Sequence, residues 1–157
     1  MHPNAALIDR FYAAFAARDA AGMAACYHPD VVFTDPAFGE LRGAQARAMW
    51  AMLVERGKDL DVTWSDVHAD DATGRAHWEA RYTFSASGRR VHNRIDAEFA
   101  FRDGLIARHA DRFGFWPWAR QALGPAGLLL GWTPMLRNKV RATARAGLEK
   151  YMASKDR

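Results

Sequence analysis

The sequence predicts a single α+β domain, with helices packed on one face of an antiparallel sheet. Two periodicities predict it. Apolar residues recur at three- and four-residue steps through the first third of the chain, then alternate in twos from Asp61 to Phe113. Helices that precede strands give an α+β order. The third observation is size and composition: 157 residues, half of them apolar, a quarter charged, with six Trp and nine Phe. Such a chain fills one core and leaves aromatic side chains for a pocket.

The elements follow in order. Asn4 is a plausible N-cap for a helix over residues 5–18, whose apolar face carries Leu7, Ile8, Phe11, Tyr12 and Phe15. Asp19 caps a short second helix over 20–27 that buries Met23, Cys26 and Tyr27 and is stopped by His28-Pro29. Val31 to Thr34 reads as a short strand, and Asp35-Pro36-Ala37-Phe38-Gly39 as a turn. A third helix runs over 44–56 with Met49, Trp50 and Leu53 inward and Gly57 as its stop.

From Asp61 onward, turn signals at Asp70-Asp71, Ser87-Gly88 and Asp103-Gly104 divide the alternating stretch into four long strands in hairpin order. Alternation separates the faces. Trp78, Ala80, Tyr82 and Phe84 oppose His77, Glu79, Arg81 and Thr83, and Ile95, Ala97, Phe99 and Phe101 oppose Arg94, Asp96, Glu98 and Arg102. His77, His92, Asp96 and Glu98 are thus expected on the outer face, toward solvent or a second subunit. On the last strand His109 and Asp111 share the inner face with Leu105, Ala107 and Phe113, two ionisable groups out of pattern. Residues 116–132 read as an apolar connector. A basic amphipathic helix follows, with Leu136, Val140, Ala144, Leu148 and Met152 at four-residue steps.

Composition excludes several function classes. Net charge is +4, but residues 133–157 carry seven Lys/Arg against two acidic residues, which leaves 15 basic against 16 acidic elsewhere. A basic excess confined to one helix does not make a nucleic-acid surface, so no nucleic-acid partner is expected. The one cysteine, Cys26, cannot form an internal disulfide, and no Cys/His spacing suits zinc, so no metal or other cofactor is expected. The N-terminus lacks a signal-peptide pattern, and the apolar run Pro125 to Trp132 falls short of the ~20 residues of a membrane span. A reducing, cytoplasmic setting is the expectation.

The segment from Arg10-Phe11-Tyr12 through Tyr27-His28-Pro29-Asp30 to Val31-Val32-Phe33-Thr34-Asp35-Pro36 resembles the nuclear transport factor two-like superfamily, in its SnoaL-like and ketosteroid-isomerase-like branch. Phe101-Arg102-Asp103-Gly104-Leu105-Ile106, followed by Arg108-His109-Ala110-Asp111-Arg112-Phe113, is similar to that branch's last hairpin. The resemblance covers residues 5–118. It implies a cone-like curved antiparallel sheet wrapped around the N-terminal helices, a cystatin-like roll, over 1–118. Residues 119–157 then add the connector and the basic helix, packed on the same domain.

The resemblance also places Asp35 where ketosteroid isomerases hold their general base. Their oxyanion donors, a tyrosine on the first helix and an aspartic acid on a strand, correspond here to Phe11 and Ala97, so steroid isomerisation is disfavoured. Asp111 matches the last-strand acid/base aspartate of SnoaL-like cyclases, and His109 lies two residues away on the same face.

Together these residues point to carboxylate acid/base catalysis on a small apolar carbonyl or cyclic substrate, by a cofactor-independent isomerase, cyclase or hydratase. Burial in an apolar pocket raises a carboxylate's pKa toward neutrality, which suits Asp35 as a base. His109 would hydrogen-bond the ligand oxygen. Phe11, Phe15, Trp50, Trp78, Tyr82, Phe99 and Phe113 would form the wall. The alternatives are a noncatalytic module that holds a small hydrophobic ligand, and a dimeric interaction protein. In the bland reading Asp35 only closes a turn, His109 and Asp111 pair as a structural cluster, and the aromatics are core. The outer sheet face is the expected homodimer contact. Membrane contact through the basic helix is the less favoured role for that segment.

Overall fold

The structure is a computed structural model that describes residues 1–156. The first helix, α1 (Pro3–Ala16), begins two residues earlier than the Asn4 cap predicts. Pro3 is suited to the first turn, where its missing N–H costs nothing. The His2 ring accepts from Asn4 N at 3.0 Å, and the Asn4 side chain instead donates to the Asp70 carbonyl. Asp19 caps α2 (Ala20–Ala25) through a 2.9 Å bond from Gly22 N. That helix stops short of Tyr27.

Tyr27 opens β1 (Tyr27–Asp35), a strand more than twice as long as Val31 to Thr34. Its pairing shifts register between Tyr27 and Val32, where Pro29 has no N–H to give the ladder. The turn after Asp35 leads into β2 (Gly39–Arg42), a short strand absent from the sequence reading, which pairs antiparallel with β1. Next come α3 (Ala44–Arg56) and the four long strands β3 (Asp61–Ala69), β4 (Thr73–Phe84), β5 (Arg89–Arg102) and β6 (Leu105–Arg112). They lie in one curved six-stranded sheet of order β2-β1-β6-β5-β4-β3. The sheet is mixed: β1 runs parallel to β6, and every other pairing is antiparallel.

One face of the sheet holds the core. Leu7, Ile8, Phe11, Tyr12 and Phe15 of α1 and Met49 and Trp50 of α3 pack against Ala76, Trp78, Ala80, Ile95, Ala97 and Phe99, all buried. The opposite face carries an ionic network: Glu79 accepts from His92 at 2.6 Å and from His77 at 3.0 Å, and His77 also bonds Asp96 at 2.9 Å.

The stretch read as a connector is helical. It forms α4 (Phe115–Leu123) and α5 (Pro125–Leu130). Phe115, Trp118, Ala119 and Ala122 make a second small core on Val91, so α4 extends the cover of the concave face. The tip beyond it leaves Leu128, Leu129, Leu130, Trp132 and Met135 exposed. The last helix, α6 (Pro134–Lys155), packs on α3 with Leu148 and Tyr151 buried, and Tyr151 donates to Glu55 at 2.7 Å. Arg145 ties it to the turn below, donating to the Phe38 and Glu40 carbonyls at 2.9 Å each. Among the described residues no helix is long and apolar enough to cross a membrane.

Candidate functional site

Asp35 closes β1, and the parallel register of β1 on β6 sets Phe33 beside His109 and Thr34 beside Ala110. The next residues, Asp35 and Asp111, therefore reach the same end of the sheet. Both line one cavity of about 470 Å³, together with Thr34, Pro36, Ala110, Phe113 and Phe115 and the arginines Arg108, Arg112, Arg137 and Arg141. Two of those arginines come from α6, one helical turn apart.

The Asp35 carboxylate accepts from Phe38 N at 2.6 Å, which fixes the turn. Burial pushes its pKa up to about 7. The amides of Phe38 and Ala37 and the nearby Arg141 oppose that rise, while the negative charge of Asp111 adds to it. Asp35 thus gains and loses its proton near neutrality.

Behind Asp111 runs a buried polar chain. Asp111 Oδ1 accepts from Trp78 Nε1 at 3.2 Å and bonds His109 Nε2 at 2.9 Å. His109 Nδ1 lies 2.8 Å from the Tyr27 hydroxyl, which accepts from Trp50 Nε1 at 2.7 Å. An indole N–H can only donate. One arrangement of donors satisfies the whole chain: Trp50 donates to Tyr27, Tyr27 to His109 Nδ1, and His109 Nε2–H to Asp111. Both bonds to the carboxylate end on Oδ1, leaving Oδ2 without a protein donor on the cavity side.

His109 is fully buried and is not part of the cavity wall. Its ring sits among Phe99, Phe33, Phe11 and Trp50, at centroid distances of 4.5 to 5.9 Å. It reaches the cavity only through its bond to Asp111, and does not itself meet a ligand oxygen there. Of the residues expected to form the wall, Phe113 lines the cavity. Phe11, Phe15, Trp50, Trp78 and Phe99 fill the core instead, because α1 and α3 press directly on the sheet. Tyr82 turns its hydroxyl to Trp118 Nε1 at 2.8 Å.

Sequence reasoning missed Tyr27, the two indole donors, and Arg137 and Arg141. Tyr27 lies 82 residues from His109. Only the parallel β1/β6 pairing unites them, and a hairpin reading does not contain that pairing. Tyr12 is the counterexample: its hydroxyl is buried with no partner among the described residues, and burial holds its pKa well above the usual tyrosine range.

Residues 8–109 match the SnoaL-like domain family. The fold recurs in solved structures. The chain is 28% identical to TsrD from Streptomyces laurentii, with 78% of this chain and 95% of that one covered at a TM-score of 0.62. It is 15% identical to a SnoaL-like polyketide cyclase-type protein from Jannaschia sp. CCS1, with 78% and 93% covered at 0.68. A protein of ketosteroid isomerase-like fold from Catenulispora acidiphila DSM 44928, in complex with trimethylamine, aligns at 15% identity over 82% and 97% at 0.66. No curated protein sequence matches the chain at a significant level.

Proposed function

This chain belongs to the SnoaL-like domain family, and on that premise we propose that it is an acid/base enzyme of the isomerase, cyclase or hydratase type for a small apolar carbonyl or cyclic substrate. The observation that carries this reading is the convergence of Asp35 and Asp111 on one cavity, with Asp35 titrating at about 7. A base works best when its pKa lies near the working pH. Asp35 takes the proton from carbon next to the carbonyl, and the negative charge that develops on oxygen faces a wall of arginines. Asp111, oriented by Trp78 and His109, presents Oδ2 to the other side of the substrate.

The test is deuterium exchange into cyclic ketones such as 2-tetralone, followed by NMR. The wild type accelerates exchange, with kcat/KM rising as pH increases through about 7 and Asp35 loses its proton. Asp35→Asn lowers the rate by ~10²-fold or more while binding persists. The Asp35–Phe38 bond, which also explains Asp35 as a turn residue, favours a second reading in which the cavity only holds a ligand. Ketones that bind the wild type with no accelerated exchange select that reading.

A further inference from the structure

The family match ends at residue 109, yet two arginines of the cavity wall, Arg137 and Arg141, come from the C-terminal helix α6. Arg108 and Arg112 from β6 also border the cavity, so four arginines and two carboxylates line it, and basic side chains outnumber acidic ones there. Arg112 pairs with Glu98 at 3.0 Å, whereas Arg108, Arg137 and Arg141 make no ion pair with any described residue.

Arg141 Nε is buried without a hydrogen-bond partner among the described residues, a cost that a bound acceptor removes. Arg137 lies over the Phe115 ring, its guanidinium carbon 5.5 Å from the centroid, so charge and apolar surface adjoin. From Arg112 to Leu148 the sequence has six Lys/Arg and no Asp or Glu. Nothing on α4, α5 or this part of α6 neutralises the wall.

We propose that Arg137 and Arg141 recognise an anionic group on the substrate, a carboxylate attached to an apolar ring or chain, and that α6 is the specificity element of the site. This rests on the reading of the cavity as a substrate site. A guanidinium fork binds a planar carboxylate through paired N–H donors, Phe113 and Phe115 receive the apolar body, and the reacting carbon is turned toward Asp35.

Isothermal titration with 2-naphthoate and its uncharged analogue 2-naphthamide tests it. The expected result is at least ~10-fold tighter binding of the carboxylate, weakened by added salt. Arg137→Gln and Arg141→Gln each remove most of that preference and leave naphthamide binding unchanged. Arg141→Lys restores part of it, which separates lost charge from lost packing. Lys139→Gln, on the same helix but outside the cavity wall, leaves the preference intact. Equal binding of the two compounds, binding of neither, or arginine variants that keep the preference overturns the proposal. Failure here is distinct from failure of the acid/base reading: accelerated ketone exchange lost in Asp35→Asn would stand even if the carboxylate preference were absent.

Discussion

Two tyrosines show how much a hydroxyl's surroundings decide. Tyr27 and Tyr12 are both buried, but only Tyr27 is bonded, to His109 and Trp50, while the Tyr12 hydroxyl has no partner. Tyr27→Phe strands a ring nitrogen and an indole N–H, and is expected to cost about 1–3 kcal/mol in urea denaturation. Tyr12→Phe removes only an unpaired group and should leave stability unchanged or raise it by about 1 kcal/mol. Asp35 and Asp111 were legible in the sequence because a family pattern and a break in alternation mark them. Their helpers were not. Tyr27 reads as a core residue, and Trp50 and Trp78 as apolar pocket wall, until the fold supplies their polar partners, since nothing in an aromatic's spacing tells where its polar atom points.

Among the elements, those with internal signals were readable: α1, α3, the four long strands and α6 have full periods and clear stops. The misreadings have two causes. The length of β1 and the helix α4 depend on contacts with β6 and Val91 that lie far away in sequence, whereas β2 and α5, at four and six residues, are too short to show a period of their own. At Gly127 the contact is close enough to measure by substitution. A Cβ there would run into the Ala119 carbonyl of α4, so Gly127→Ala is expected to force α4 and α5 apart and cost about 3 kcal/mol. Gly147 on α6 has open space around its Cβ position, and Gly147→Ala should stabilise by about 0.5–1 kcal/mol through helix propensity alone. Thermal melts of the two variants move in opposite directions.

For the molecule as a whole, ionisation predicts a bell-shaped stability curve. Glu79, held at about 2 by bonds from His92 and His77, contributes stability that is lost as pH falls below its ordinary value. Asp59 and Asp70, also lowered by their hydrogen bonds, act in the same sense. Asp35 acts oppositely: the folded state keeps its proton to about 7, so stability declines from about pH 4 to pH 7. His77, raised by Asp96, adds stability at low pH that is lost as pH rises through its folded value. Thermal melts are expected to peak near pH 5. Asp35→Asn should flatten the alkaline limb by about 2 kcal/mol, a figure reduced for its partial solvent contact, and leave the acid limb in place. The chain from Trp50 to Trp78 also gives the molecule an internal sensor. Its two end donors are indole N–H groups, which resonate apart from the amide crowd in ¹⁵N-labelled protein. Occupancy of the cavity at Asp111 should therefore be read first at Trp78 and then, across the imidazole and the phenol, at Trp50, with no label on the ligand.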